Sequence, residues 1–201
     1  MREANMPSPD EIDLARAQEY ALLSSLLLQS PSAEFLQRLT LLRGDATELG
    51  RAHAALGEAA SRAETEAVAR EHFKLFSGLG RGELLPYASY YLTGFVQGRP
   101  LANLRQTLAQ LGIERAEGQS EPEDHAGILL EIMAGLASGS LGAPVGADRE
   151  FFGTHLGPWI TRFFADLERT PSASFYASVG ALGRTFMEIE LRGFELLEPH
   201  A

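Results

Sequence analysis

The sequence contains no cysteine. That excludes disulfides, a thiol nucleophile, and zinc or iron–sulfur sites built on thiolates. β-Branched apolar residues are scarce as well: Val occurs 4 times and Ile 6 times, against 31 Leu and 28 Ala in 201 residues. No stretch alternates apolar and polar side chains at period two, so no strand is expected. Positive charge is in deficit, with 17 Lys and Arg against 27 Asp and Glu and a formal net charge of −10. This argues against sequence-independent attraction to nucleic-acid phosphates and suits a partner that is itself basic. The longest apolar run, Ala21 to Leu28, is interrupted by two serines and is far too short to span a bilayer. The opening residues MREANMPSPDEID lack the apolar core of a secretory signal. A soluble, cytoplasmic protein with no stable membrane insertion and no nucleic-acid partner is expected.

What is present favours helix, because Leu and Ala lose little side-chain freedom there. The fold class expected is all-α, a single compact bundle of about nine or ten helices over residues 10–201. A mobile arm is expected over 1–9 and a hinge-like polar linker over 112–120, between two halves. Asp10 caps a first helix reaching about Gln29, a second covers about 33–43, and Gly44 and Asp45 break and recap a third to about Ala59. Ser61 caps a fourth that runs to Phe76. The loop SGLGRGELLP carries Gly78, Gly80 and Gly82 at alternate positions. No strand precedes it and no Gly-Lys-Ser/Thr follows, so it reads as an interhelical connection and not as a phosphate loop. Pro86 and Pro100 each start a helix, the second carrying Leu101, Leu104, Leu108 and Leu111 as its stripe. Further helices are expected near 121–138, 148–155, 159–169 and 172–197. In the last, Phe175, Val179, Leu182, Phe186 and Ile189 form a core stripe, and Trp159, Phe163 and Phe164 also read as core.

Chemistry concentrates in SEPEDHAGILLEIMAGL, residues 120–136. Ser120 and Glu123 have the spacing of a capping box, and Pro122 suits a first helical turn. Glu121, Glu123 and Asp124 then fall at the positive end of the helix dipole. His125 aligns with Leu129, Ile132 and Leu136, so it begins the apolar stripe and should be partly buried. Glu121 and His125, four residues apart, could also touch one ion, with Glu131 as a further carboxylate. On the residues alone, helix capping, a metal site, an acid–base pair and a partner-facing cluster all stand. A helical metalloenzyme using Glu121, His125 and Glu131 is therefore one alternative, and a structural adaptor for a folded partner is another. Upstream, Tyr87, Tyr90 and Tyr91 fall within one helical turn. They cannot all point inward, so at least one hydroxyl should reach solvent or a groove.

Three motifs occur in a fixed order: PYASYY at 86–91, EPEDH at 121–125 followed by ILLEIMAGL, and HLGPWI at 155–160. Together with length and helical pattern, they make the chain resemble the TorD/DmsD family of cytoplasmic chaperones for molybdoenzyme maturation. The resemblance implies a binding module and not an enzyme, with no cofactor of its own. Its partner would be the twin-arginine signal peptide, and in some cases the body, of a molybdenum-cofactor redox enzyme. Export would be delayed until that cofactor is inserted. The family's functional element falls here on Glu121, Pro122, Asp124 and His125, with Tyr87, Ser89 and Tyr90 nearby. Glu123 and Asp124 are expected to attract the signal's arginines from an acidic rim, and Tyr87 or Tyr90 to flank its apolar part. Some members form domain-swapped dimers, for which the linker is a plausible hinge. Monomer and swapped dimer are both compatible with the sequence.

Overall fold

Leu- and Ala-rich segments form helix throughout the computed structural model, which describes residues 10–78, 81–115, 118 and 120–196. Among these residues there are ten α-helices and no strand: α1 Glu11–Leu28, α2 Ala33–Leu39, α3 Glu48–Arg62, α4 Thr65–His72, α5 Ala88–Thr93, α6 Arg99–Gln110, α7 Ala126–Ala137, α8 Ala147–Phe151, α9 Ile160–Arg169 and α10 Phe175–Leu196. Two π-helical turns, Phe73–Ser77 and Phe152–Leu156, extend α4 and α8. The expected arm at 1–9, Gly80 of the glycine loop, and 116, 117 and 119 of the linker lie outside the described residues. Among the described residues no helix is long and apolar enough to cross a membrane.

The core is built on α1, α7, α9 and α10. Leu23, Leu26 and Leu27 of α1 are buried against the chain's interior together with Leu129, Leu130 and Met133 of α7. The Ser24 hydroxyl donates to the Gly127 carbonyl at 2.8 Å. Gly127 is required there, because a Cβ would come within 2.6 Å of the Leu28 side chain. In the same way a Cβ at Gly180 would lie 2.4 Å from the backbone nitrogen of Glu168, so glycine lets α10 lie on α9. Trp159, Phe163 and Phe164 are buried as the sequence predicts, and so are Phe175, Val179, Leu182 and Phe186. Ile189, the last member of that stripe, is 38 % exposed, because α10 there borders a surface groove.

Several helix boundaries differ from expectation, each for a local reason. Asp10 does cap α1, accepting from Asp13 N at 2.8 Å. The cap of α3 is Thr47, whose hydroxyl accepts from Gly50 N, while Asp45 accepts from Thr47 N instead. Ser61 lies inside α3 and turns back to the Glu58 carbonyl, leaving α4 without a side-chain cap. α5 stops at Thr93 because Gly94 turns left-handed, at φ 82°. The expected capping box of Ser120 and Glu123 does not form. The helix begins only at Ala126, with His125 as its N-cap, so Glu121, Glu123 and Asp124 lie in a turn ahead of it. The start of α10 is capped from far away in sequence, by Glu71 of α4, which accepts from the backbone of Ser174, Phe175 and Tyr176.

Candidate functional site

The PYASYY and EPEDH motifs meet backbone to backbone. Tyr87 and His125 form an isolated antiparallel bridge, with Ala88 N donating to the Asp124 carbonyl at 2.9 Å and Ala126 N to the Pro86 carbonyl at 2.7 Å. This pairing holds His125 extended, at φ −65° and ψ 134°, and explains why α7 cannot start earlier. Two backbones of opposite direction thus clamp the mouths of α5 and α7 together.

Side chains reinforce the clamp. Asp124 is fully buried, and its Oδ2 accepts from Ser89 N at 2.9 Å. The Ser89 hydroxyl accepts in turn from Gln97 N at 2.8 Å, which fixes the loop after α5. Gln97 has φ 72°, a left-handed conformation that a non-glycine residue adopts at some cost. The Tyr87 hydroxyl donates to Glu121 Oε2 at 2.6 Å, and its ring packs edge-on to His125 with centroids 5.4 Å apart. Burial, then the bond to Glu121, pushes the Tyr87 phenol well above its ordinary range, so it stays a donor. His125 is buried, and its Nδ1 accepts from Gly127 N at 3.1 Å. Burial pushes this imidazole down to about 4, which keeps Nδ1 unprotonated and able to accept.

The sequence anticipates a charged rim, and here the structure differs. Asp124 is interior, because capping Ser89 draws its side chain inward. Glu123 is held by Arg105, whose Nε and Nη2 donate to its two oxygens, and Arg115 lies 3.9 Å away. The Arg105 bond holds the Glu123 carboxyl below its usual range. Pro122 contributes its carbonyl to His125 N. Tyr90 separates from the group: its hydroxyl lies 3.4 Å from Arg81 Nη2, beside Leu85 and Asp166. Tyr91 turns inward onto Trp159 and bonds Asp166. Thus Tyr87, Ser89, Glu121, Asp124 and His125 come together, and Tyr90 does not join them.

One oxygen of Asp124, Oδ1, is buried without any hydrogen-bond partner. Asp124 lines a cavity of about 210 Å³. Leu92, Pro100, Leu104 and Leu129 supply apolar wall, while Thr93, Asn103 and Thr154 add polar groups and Arg99 a positive one. His155, the first residue of the HLGPWI motif, closes another side and is held by Thr107 at 2.8 Å. The Trp159 indole of the same motif donates to the His155 carbonyl at 2.7 Å. All three motifs therefore border one cavity. Next to it the loop after α5 presents Phe95, 77 % exposed, and Val96. Sequence reasoning misses Arg99, Asn103 and Thr154, which carry no local signal; His155 is visible there as part of a motif but not as a wall.

The alternative metal reading finds little geometry. His125 spends Nδ1 on the cap, Glu121 is engaged by Tyr87, and Glu131 is exposed on α7. Among the described residues no group of three or more His, Asp or Glu side chains is placed to hold an ion.

The model of the "Nitrate reductase delta subunit" family matches residues 42–165. The chain is 29 % identical over 195 residues to "Chaperone protein TorD" of Vibrio cholerae serotype O1, covering 86 % of this chain and 89 % of that protein. It is 26 % identical over 198 residues to the TorD chaperone of Vibrio atlanticus, covering 87 % of this chain and 92 % of that one. A crystal structure from Archaeoglobus fulgidus, named for redox enzyme maturation, aligns over 93 % of this chain and 99 % of its own with a TM-score of 0.57. At 19 % identity it speaks to the fold alone.

Proposed function

The chain belongs to the Nitrate reductase delta subunit family, and from that premise we propose that it is a cytoplasmic redox-enzyme maturation chaperone, not an enzyme, that binds the twin-arginine signal of a molybdoenzyme precursor and delays its export. The observation that carries this reading is Asp124, a buried carboxylate that lines a cavity and whose Oδ1 has no donor. An unpaired buried acceptor is costly, and a guanidinium is the side-chain group best shaped to satisfy it. One arginine of the signal enters the cavity. Its stem lies along Leu104 and Leu129, and its head meets Asp124. The apolar part of the signal runs over Leu92, Phe95 and Val96, which are exposed beside the mouth. Of the two tyrosines expected to flank it, Tyr90 faces elsewhere, while Tyr87 stays beside Asp124 and bonds Glu121. Glu121 and His125 hold the turn that positions Asp124.

Titration calorimetry with a twin-arginine peptide tests it. The peptide binds, and replacing its two arginines with lysines weakens binding more than the unchanged charge would predict, because an ammonium cannot reproduce a planar fork. A scrambled basic peptide that binds equally well would end the proposal.

A further inference from the structure

His155 lies in the π-helical turn Phe152–Leu156, whose widened backbone brings both it and its neighbour Thr154 onto the lining of the cavity at Asp124. The ring is buried and tilts over Phe151, with centroids 5.0 Å apart. One ring nitrogen is engaged: Nε2 lies 2.8 Å from the Thr107 hydroxyl. That hydroxyl donates to the Asn103 carbonyl at 3.3 Å, so toward His155 it is the acceptor. The imidazole proton is therefore on Nε2, and Nδ1 is left as an acceptor. Among the described residues nothing donates to Nδ1, yet it is not one of the side-chain atoms sealed away without a partner, as Asp124 Oδ1 is.

Two charged side chains share this lining with His155: Asp124, ahead of α7, and Arg99, at the first position of α6. The residues of α5, of α7 and of the π-turn add no ionisable group to it besides His155 itself. Burial lowers the imidazole from its ordinary value, so the ring is neutral at pH 7.5. The cavity thus offers a carboxylate and a neutral ring acceptor from two separate elements. A guanidinium carries five N–H donors in a fixed plane, more than one carboxylate can satisfy. An ammonium is a compact point charge with fewer donors and gains less from a second acceptor set apart from the first.

We propose that His155 is a specificity-determining residue of this cavity: its Nδ1 accepts a second N–H of the arginine whose charge Asp124 meets, and Thr107 positions it by holding the ring proton on Nε2. This rests on the reading of the cavity as the twin-arginine site. Two acceptors from separate elements select a planar fork over an ammonium. They also link binding to protons. A proton on Nδ1 turns the acceptor into a cation that shares the cavity with Asp124, so proton and guanidinium compete for one place. Affinity is full above the pKa of the free imidazole and is lost as pH falls through it.

The test is titration calorimetry of a twin-arginine peptide on the full chain at pH 7.5 and 5.5, with two variants. Asparagine sets its amide group near the place of Nδ1, and glutamine sets its own near the place of Nε2. His155→Asn therefore keeps an acceptor for the ligand and gives up the bond to Thr107, while His155→Gln does the reverse. At pH 7.5 His155→Gln should weaken the peptide about 10-fold and His155→Asn by no more than about 3-fold, with thermal melts showing that each is folded. Wild-type affinity should fall about 2–10-fold from pH 7.5 to 5.5, and both variants should lack that fall, because neither amide titrates. His125, pushed down to about 4, stays neutral through most of this window. A purely structural role, exerted through Thr107, would be rescued by glutamine. His155→Gln binding as tightly as wild type, or a pH dependence that survives in both variants, overturns the proposal. A wild-type chain that does not bind the peptide at either pH would instead end the reading of the cavity on which it rests, so the two failures are told apart.

Discussion

The backbone N–H of Ser89 donates to Oδ2 of Asp124 at 2.9 Å, joining residues 35 positions apart in the chain. This leaves Asp124 with one structural oxygen and one unpartnered oxygen, and the two can be separated by mutation. In Asp124→Asn the amide oxygen can still accept from Ser89, so the fold should persist. The charge facing the cavity is gone, and binding of a twin-arginine peptide should fall at least about 10-fold. Asp124→Ala removes both functions and should in addition cost about 1–3 kcal/mol of stability, as an unsatisfied buried N–H does. Urea denaturation and calorimetry on the two variants check this. Unchanged peptide affinity in Asp124→Asn would show that the carboxylate does not read the ligand.

Arg99 supplies an independent test, because it lines the same cavity with the opposite charge. If a guanidinium enters, Arg99 repels it, and Arg99→Ala should tighten the peptide by about 2–5-fold at low salt, with less effect as salt rises. The residue is exposed at the first position of α6, so its removal should leave stability almost unchanged. Weaker binding in Arg99→Ala would mean that the cavity receives an anionic or neutral group, and would sink the assignment of Asp124 as arginine acceptor.

His125 predicts a pH dependence. Burial pushes its imidazole down to about 4 from an ordinary 6.5. Above pH 6.5 the ring is neutral in folded and unfolded chains alike, and its contribution to stability is fully present. Between pH 6.5 and 4 the unfolded chain takes up a proton that the folded chain refuses, so stability is lost as pH falls, by up to about 3 kcal/mol. Protonating Nδ1 would also break the cap on Gly127. Burial lowers His72 and His155 in the same sense, whereas the bond to Glu19 raises His53 in the opposite one. A comparison with His125→Asn isolates the term, since asparagine caps well and does not titrate. The variant should be less stable than wild type at pH 8, having lost the packing against Tyr87, and the gap should narrow or reverse at pH 4.5. A gap that stays constant with pH would show that His125 is not buried neutral.

The helical class and most of the core are legible in the sequence because they follow from local rules: leucine spacing, scarce β-branched residues, and caps such as Asp10. The same local rules mislead at Ser120 and Glu123. Their spacing is that of a capping box, but pairing with residues 86–88 and the Arg105 bond prevail. The burial of Asp124 has a similar origin, since the N–H it satisfies belongs to another motif. Motif order does point to segments that meet: those near 87, 124 and 155 converge on one cavity. The places of Arg99 and Asn103 on its wall arise from packing between distant helices, and no window of sequence shows them.

The N-terminus of α10 gives a final prediction of this long-range kind. Glu71 Oε1 accepts from Ser174 N at 2.7 Å and Tyr176 N at 2.8 Å, and Oε2 accepts from Phe175 N at 3.2 Å. A carboxylate from α4 thereby does what an N-cap side chain usually does from within the helix, with the helix dipole adding to the attraction. Glu71→Ala should cost about 2 kcal/mol, and Glu71→Gln about half of that, because one acceptor oxygen remains. Equilibrium urea unfolding measures both. Glu71 does not line the cavity at Asp124, so peptide affinity under native conditions should be unchanged in both variants. If Glu71→Ala were as stable as wild type, Ser172 or Ser174 would have taken over the cap, and amide hydrogen exchange at residues 174–176 would show it by retained protection.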